Sequence, residues 1–308
     1  MRGRLPKNNT HLAFLLDLFQ SKKRVDGREW TDFRSFDVSY DPTCRLTHIR
    51  LGKTRLMCTL DAEISAPRKS TKPGAGSIAF SVDFLPMAHP SAVETNSFDN
   101  EIEQCLVILE SLFRDTYCLD FDTLCIESNK YVFDIKCEIK ILDYDGGLWD
   151  ASVLAVSCAI THFKRSDVSY NSITKKLIVH SNDKPPIPLT VYYKPVTTTF
   201  GFINGISHGN SSHSNDKPPI PLTVYYKPVT TTFGFINGIE DPIIDPTMEE
   251  SLLVDGFLII GANHRDEICL ISQSGNLNAN QKSIEKCCEI ALKNVKELIG
   301  YINTIKIK

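Results

Sequence analysis

Three aspartates stand close together in the stretch "LDYDGGLWDAS": Asp143, Asp145 and Asp150, set around the pair Gly146-Gly147. Carboxylates at such spacing are what a divalent cation or a proton transfer needs, so a metal site is the chemistry this stretch offers first. A turn that opens a helix uses the same residue types for capping, and that simpler account is the expected one, with no metal bound. His48, His89, His162 and His264 are scattered without ligand spacing. The ten cysteines include no Cys-x-x-Cys pair, Cys287-Cys288 being the one close pair, and read as reduced core residues of a cytosolic or nuclear chain. No Walker loop and no Gly-x-Gly-x-x-Gly occurs, so no cofactor is expected.

These residues must be positioned by a chain of 308 residues, 42% hydrophobic and 23% charged, an ordinary globular composition. No run of about 18 apolar residues is present, so no membrane span is expected, and the interrupted apolar patch near the N-terminus predicts an amphipathic helix rather than a signal peptide. Leu12, Leu15, Leu16 and Phe19 are expected on its buried face. The net charge of −3 argues against an autonomous nucleic-acid binder. It is unevenly spread: residues 1–80 hold 15 Lys/Arg against 8 Asp/Glu, whereas residues 81–150 hold 4 against 15. Such an asymmetry suits subunits that pair through complementary fields.

Alternating stretches such as "CRLTHIRLG" and "TRLMCTLDAEIS" predict antiparallel strands joined at Gly52-Lys53, and "IAFSVDFL" predicts another. Residues 98–114 place Ile102, Leu106, Leu109 and Phe113 at helical spacing. Two more strands and a helix with Leu154, Cys158 and Ile160 follow, giving split β-α-β order. Farther on, "SLLVDGFLIIGANHRDEICLISQSGN" predicts two strands and a turn. A last helix is expected from about Ala279 to Leu298, with Ile284, Cys288, Ala291, Val295 and Leu298 inward and Gly300 as its stop. The sum is an α+β chain of two related lobes, divided at 1–180 and 181–308.

The second lobe carries an exact duplication: "HSNDKPPIPLTVYYKPVTTTFGFINGI" runs from His180 to Ile206 and again from His213 to Ile239. Two copies of a 33-residue period do not make a stacked array. Within each copy "IPLTVYY" and "PVTTTFGF" are strand-like, and the proline between them suits a strand start. One copy, spanning the 181–213 or the 214–246 region, is expected to fill a sheet position while the other is extruded.

The stretches "KKRVDGRE", "LGKTRLMCTLDAEISAP", "LDYDGGLWDAS", "HFKRSDVS", "IPLTVYYKPV" and "DPTMEESLLVDGFLII" together resemble the RNase PH family of phosphorolytic 3′-to-5′ exoribonucleases, in its branch of RNA exosome ring subunits. The resemblance implies an RNase PH-like fold: a ribosomal protein S5 domain 2-like β-α-β lobe, then a second RNase PH C-terminal α/β lobe. Phosphorolysis needs cations to hold phosphate and carboxylates for a metal or proton. Active members carry an Arg pair near the start of the first long helix, where "VETNSFDNEIEQ" offers Asp99, Glu101 and Glu103 instead. Where they carry Thr or Ser and then Arg after Asp-Gly-Gly, Leu148 and Trp149 stand here. Of an aspartate pair in the second lobe, the resemblance leaves Asn237 and Asp245, with Asn204 in the other copy.

The expectation is therefore a non-catalytic ring subunit supporting 3′-to-5′ RNA processing and degradation, present in nucleus, nucleolus and cytoplasm. The implied partners are other RNase PH-like ring subunits, notably of the RNA-processing protein 41 type, S1/KH cap subunits, an associated hydrolytic nuclease and single-stranded RNA. Arg68, Lys69 and Lys72 fall where related subunits line the channel entrance, and cations there would track an RNA backbone. The alternative is an active exoribonuclease whose site a partner completes, with Arg114 the one basic residue of the first long helix available for it.

Overall fold

The computed structural model describes residues 9–67, 75–93, 97–116, 118–165, 168–179, 220–221, 224–239, 241–277 and 279–304. Helix α1 (Asn9–Gln20) buries Leu15 and Phe19, but Leu12 is half-buried and Leu16 is exposed. The expected face is thus narrower: α1 rests on a small cluster with Trp30, Ile236 and Ile243 rather than on a wide core.

The first sheet has the order β1 (Phe36–Asp41), β2 (Leu46–Leu51), β3 (Thr54–Ser65), β6 (Tyr131–Asp143), β4 (Ser77–Phe84), with β5 (Cys125–Glu127) also paired to β6. Strand β6 explains why the sheet is one-sided. Its Ile135, Cys137, Ile139 and Ile141 point inward while Lys136, Glu138 and Lys140 face water, the period of a half-buried strand. Strands β4 and β6 run parallel, joined through α2 (Asp99–Glu110), so the expected β-α-β unit is present. A π-helical turn at Ser111–Asp115 follows α2, and the buried face of the two runs through Cys105, Ile108, Leu109, Leu112 and Phe113. Ile102 and Leu106, expected inside, are only partly buried.

Helix α3 (Leu148–His162) is buried on every side from Leu148 to Ile160. A helix apolar all round belongs inside a protein, and Ala151, Ala155 and Ala159 give it a slim enough profile to lie between two sheets. Short pairs follow it: β7 (Lys164–Arg165) pairs with β10 (Ile220–Pro221), and β8 (Val168–Asn171) with β9 (Lys176–Val179). The second sheet has the order β12 (Ile243–Ile244), β11 (Val229–Phe235), β13 (Gly256–Ala262), β14 (Ile268–Gly275).

Helix α4 (Gln281–Thr304) covers that second sheet with Cys287, Ala291, Val295, Leu298 and Ile302. It runs through Gly300, whose missing Cβ has open space around it, so this glycine does not stop the helix. Cys287 rather than Cys288 takes the inward position.

Strand β11 comes from the second of the two identical copies and is buried at all seven positions. Pro228 stands just before it, where the missing N–H costs nothing, and its carbonyl accepts from Ser157 Oγ on α3 at 2.5 Å. Upstream, among the described residues, the same copy contributes the two-residue β10 and a bridge from Val224 to Leu119 within the stretch expected to form a strand. The first copy lies outside the described residues, as do Asn204, Arg68, Lys69 and Lys72.

Candidate functional site

Strand β6 ends at Asp143, and two glycines in left-handed conformation, Gly146 (φ 79°) and Gly147 (φ 71°), turn the chain into α3. The backbone there is fixed from outside. Thr54 Oγ1 donates to the Gly146 carbonyl at 2.7 Å, and Arg34 Nη1 donates to the Asp145 carbonyl at 2.7 Å. Gly147 is the residue before the helix and has no capping side chain, so none of the three aspartates is the expected cap.

The three aspartates instead diverge. Asp143 pairs with Arg55 on the surface. The Asp145 carboxyl is raised by burial, with Arg34 and Lys53 opposing the rise. Asp150 points across to β11, accepting from Thr232 N at 3.0 Å and Thr232 Oγ1 at 2.9 Å. Burial pushes its pKa up to about 7, the nearby Asp245 charge adds to this, and the threonine bonds oppose it. Among the described residues no group of three or more His, Cys, Asp or Glu could hold a metal ion.

Asp245, the carboxylate expected to survive from a catalytic pair, is fully buried and closed off by arginines. Arg34 holds it in a fork, Nη2 to Oδ1 at 2.6 Å and Nε to Oδ2 at 2.7 Å, and the Arg34 amide donates to Oδ2 at 3.1 Å. Arg28 Nη1 adds a contact at 3.4 Å. Beside it Arg24 grips Glu250, Nε to Oε1 at 2.9 Å and Nη2 to Oε2 at 2.5 Å, and donates to the Ile244 carbonyl at 2.8 Å. A fully buried carboxylate forked by one guanidinium and touched by a second is held as half of an ion pair, which favours a fastening role over metal binding or proton transfer. The segment from Arg24 to Arg34 thus clamps the second lobe to the first. In the sequence Arg24 and Arg28 stand out only as part of "KKRVDGRE", and neither Arg34 nor Glu250 stands out as half of a pair, because partners more than 200 residues apart leave no local spacing signal.

On the far side of Gly146-Gly147 lies a cavity of about 340 Å³. Helix α2 contributes Glu101 and Gln104 to its wall, α3 contributes Leu148 and Trp149, and the start of β13 brings Asp255 and Phe257. The positions expected to have lost their phosphate ligands, Leu148 and Trp149, therefore do line one concave site. Among the described residues around it, none is Lys, Arg or His, and Glu101 and Asp255 are negative. Trp149 is 9% exposed and stands edge-on to Phe257, with ring centroids 5.4 Å apart. Its Nε1–H is buried and meets no acceptor.

Asn237 and Asp245 are not brought together there. Asn237 sits exposed in the turn after β11, its amide donating to Asp255 Oδ2 at 2.8 Å, while Asp245 lies behind Gly147. Arg114 is also elsewhere: it pairs with Glu110 at 2.9 Å and with Asp115, and lines a separate hollow with Asp120, Asp122 and Tyr225.

Two models of the 3′ exoribonuclease family match this chain, domain 1 over residues 47–166 and domain 2 over residues 227–294. Over 305 residues the chain is 29% identical to the exosome complex component RRP45 of Danio rerio, covering 97% of this chain and 67% of that protein. It is 28% identical over 290 residues to the RRP45 of Saccharomyces cerevisiae, with 94% and 87% covered, and 27% identical over 297 residues to that of Homo sapiens, with 96% and 60% covered. The chain thus spans about 60% of the length of the mammalian relatives. These names agree with the sequence resemblance, which is densest for the ribosomal RNA-processing protein 45 type. The fold is similar to a chain of the Archaeoglobus fulgidus exosome with RNA bound to the active site, with a TM-score of 0.72 at 19% identity over 95% of this chain and 97% of that one. A chain of the archaeal exosome core gives 0.70 at 18%, with 96% and 97% covered.

Proposed function

The chain belongs to the 3′ exoribonuclease family of RNase PH, and from that premise we propose that it is a non-catalytic subunit of the RNA exosome core ring. The observation that carries this reading is the cavity beside Gly146-Gly147, where Trp149 and Leu148 stand with Glu101 and Asp255 and, among the described residues, no cation. Phosphorolysis starts with a phosphate ion held against a phosphodiester, itself anionic. Two carboxylates at that place repel both reactants, and among the described residues of the wall no cation is present to take up the charge that builds on the leaving oxygen. Asp245, enclosed by Arg34 and Arg28, is a fastening rather than an acid or base.

In this role the chain contributes architecture to 3′-to-5′ RNA processing and degradation. It pairs with a ring subunit of the RNA-processing protein 41 type, under S1/KH cap subunits, and an associated hydrolytic nuclease cuts the single-stranded RNA that Arg68, Lys69 and Lys72 help to guide. Its place is the nucleus, including the nucleolus, and the cytoplasm. The test is phosphate-dependent shortening of single-stranded RNA by the purified chain, alone and with its ring partner. No nucleoside diphosphate is expected from the chain alone, and none from the pair that changes on replacing Glu101 or Asp255. Robust release by the chain alone would overturn the proposal.

A further inference from the structure

The cavity that lacks the means to hold phosphate still carries hydrogen-bonding groups without partners, and they are of two kinds. Glu101 makes no ion pair among the described residues, and Asp255 uses Oδ2 for the Asn237 amide, which leaves Oδ1 for another donor. Against these acceptors stand two buried groups that find no partner, the Nε1–H of Trp149, whose side chain is nine-tenths buried, and the hydroxyl of Ser97. Tyr144, Trp149 and Phe257 supply aromatic surface between them. An occupant that satisfies this set is positively charged, rich in N–H donors, flat enough to lie on an aromatic ring, and attached to a hydrogen-bond acceptor.

A guanidinium on a peptide backbone meets each condition. It has five N–H donors in one plane for the two carboxylates, it is weakly hydrated and stacks on aromatic faces, and the neighbouring peptide carbonyl takes the Trp149 N–H. Lysine offers the charge without the plane. A nucleotide offers the plane, but its phosphate meets Glu101 and Asp255 in the wall and Asp99 and Glu103 exposed on the same helix. We infer that this cavity is a receptor for an arginine side chain presented by another polypeptide of the assembly. The inference rests on the non-catalytic reading of the same site.

The test uses the full chain labelled with ¹⁵N-tryptophan, which has two indole N–H resonances, one of them assigned to Trp149 by its loss in Trp149→Phe. The probes are acetyl-Gly-Arg-Gly-amide, the same peptide with the neutral isostere citrulline, inorganic phosphate and guanosine monophosphate. The arginine peptide is expected to shift the Trp149 resonance saturably within roughly 10 mM, and the citrulline peptide to bind at least about tenfold more weakly. Glu101→Gln and Asp255→Asn, both at positions open to solvent, are each expected to weaken the arginine response without altering the rest of the spectrum. Equal binding of the two peptides, stronger binding of guanosine monophosphate, or no saturable response to any probe in a folded protein overturns the arginine receptor and leaves the non-catalytic reading standing. A saturable response to phosphate overturns that reading itself.

Discussion

Two acidic regions lie back to back across the Gly146-Gly147 turn, and their carboxylates have opposite fates. On one side Asp245 and Glu250 are fully buried, each forked by an arginine from the segment Arg24 to Arg34. On the other, Glu101 and Asp255 line an open cavity with no cation among the described residues. The turn is thin enough that a Cβ on Gly147 would touch Arg34 Nη2 and Asp245 Oδ1, yet the same glycine forms part of the cavity wall. The difference teaches that a carboxylate's role is set by which neighbours reach it. Satisfied charge makes a fastener, and unsatisfied charge makes a receptor.

The strongest way to break this contrast is Arg34→Ala. It leaves Asp245 in the interior with only the residue-34 main-chain amide and the longer Arg28 contact, and a loss of about 3–5 kcal/mol is expected in urea unfolding. A loss as small as that of a surface pair would erase the distinction between the two sides. Next comes Gly147→Ala, which forces a side chain into a left-handed backbone and into the clamp at once, for a cost of about 2 kcal/mol in the same measurement.

Asp150→Asn sharpens the comparison through pH. With a folded pKa of about 7, raised above the ordinary aspartate value of 3.8, Asp150 contributes most to stability below the unfolded value. That contribution is lost as pH rises toward 7 and stays lost above it. The stability of the Asn variant relative to the natural protein should therefore climb from about pH 4 to pH 7 and then level off, and melts at several pH values will show it. On the cavity side, Trp149→Phe removes an N–H that has no partner, which offsets part of the cost of shortening a buried ring, so a loss of about 1 kcal/mol is expected. The smallest effect is expected from deleting residues 207–239. That removes β11 and supplies identical residues from the other copy in its place, so the melting temperature should hold within about 3 °C.

Much of the fold was legible because its signals are local. The alternation in "YVFDIKCEIKILD" and the apolar run after Asp-Gly-Gly each identify their element without knowledge of its neighbours. The misses share a cause. Gly300 looks like a stop, but α4 continues past it because Ile302 packs one turn further on. Leu16 looks like core, but α1 meets too little protein to bury it. Of the site, the positions Leu148, Trp149 and Glu101 were legible, since each follows directly on a recognisable motif. The clamp was not. The side chain of Arg34 differs from that of any surface arginine only in what stands 211 residues away.

Strand β11 carries one more implication, for the order in which the second lobe assembles. Its residues occur twice with the same side chains, so packing against β13 and α3 cannot distinguish the copies. Connectivity can. Seven residues separate β11 from β12 as they stand, whereas the same strand drawn from the first copy would lie 40 residues before β12. A shorter separation closes sooner and at lower entropic cost. The short connection to β12 thus favours the second copy, while the connection back to β9, 33 residues longer for that copy, opposes it, and the balance of the two loop closures separates otherwise chemically equal candidates.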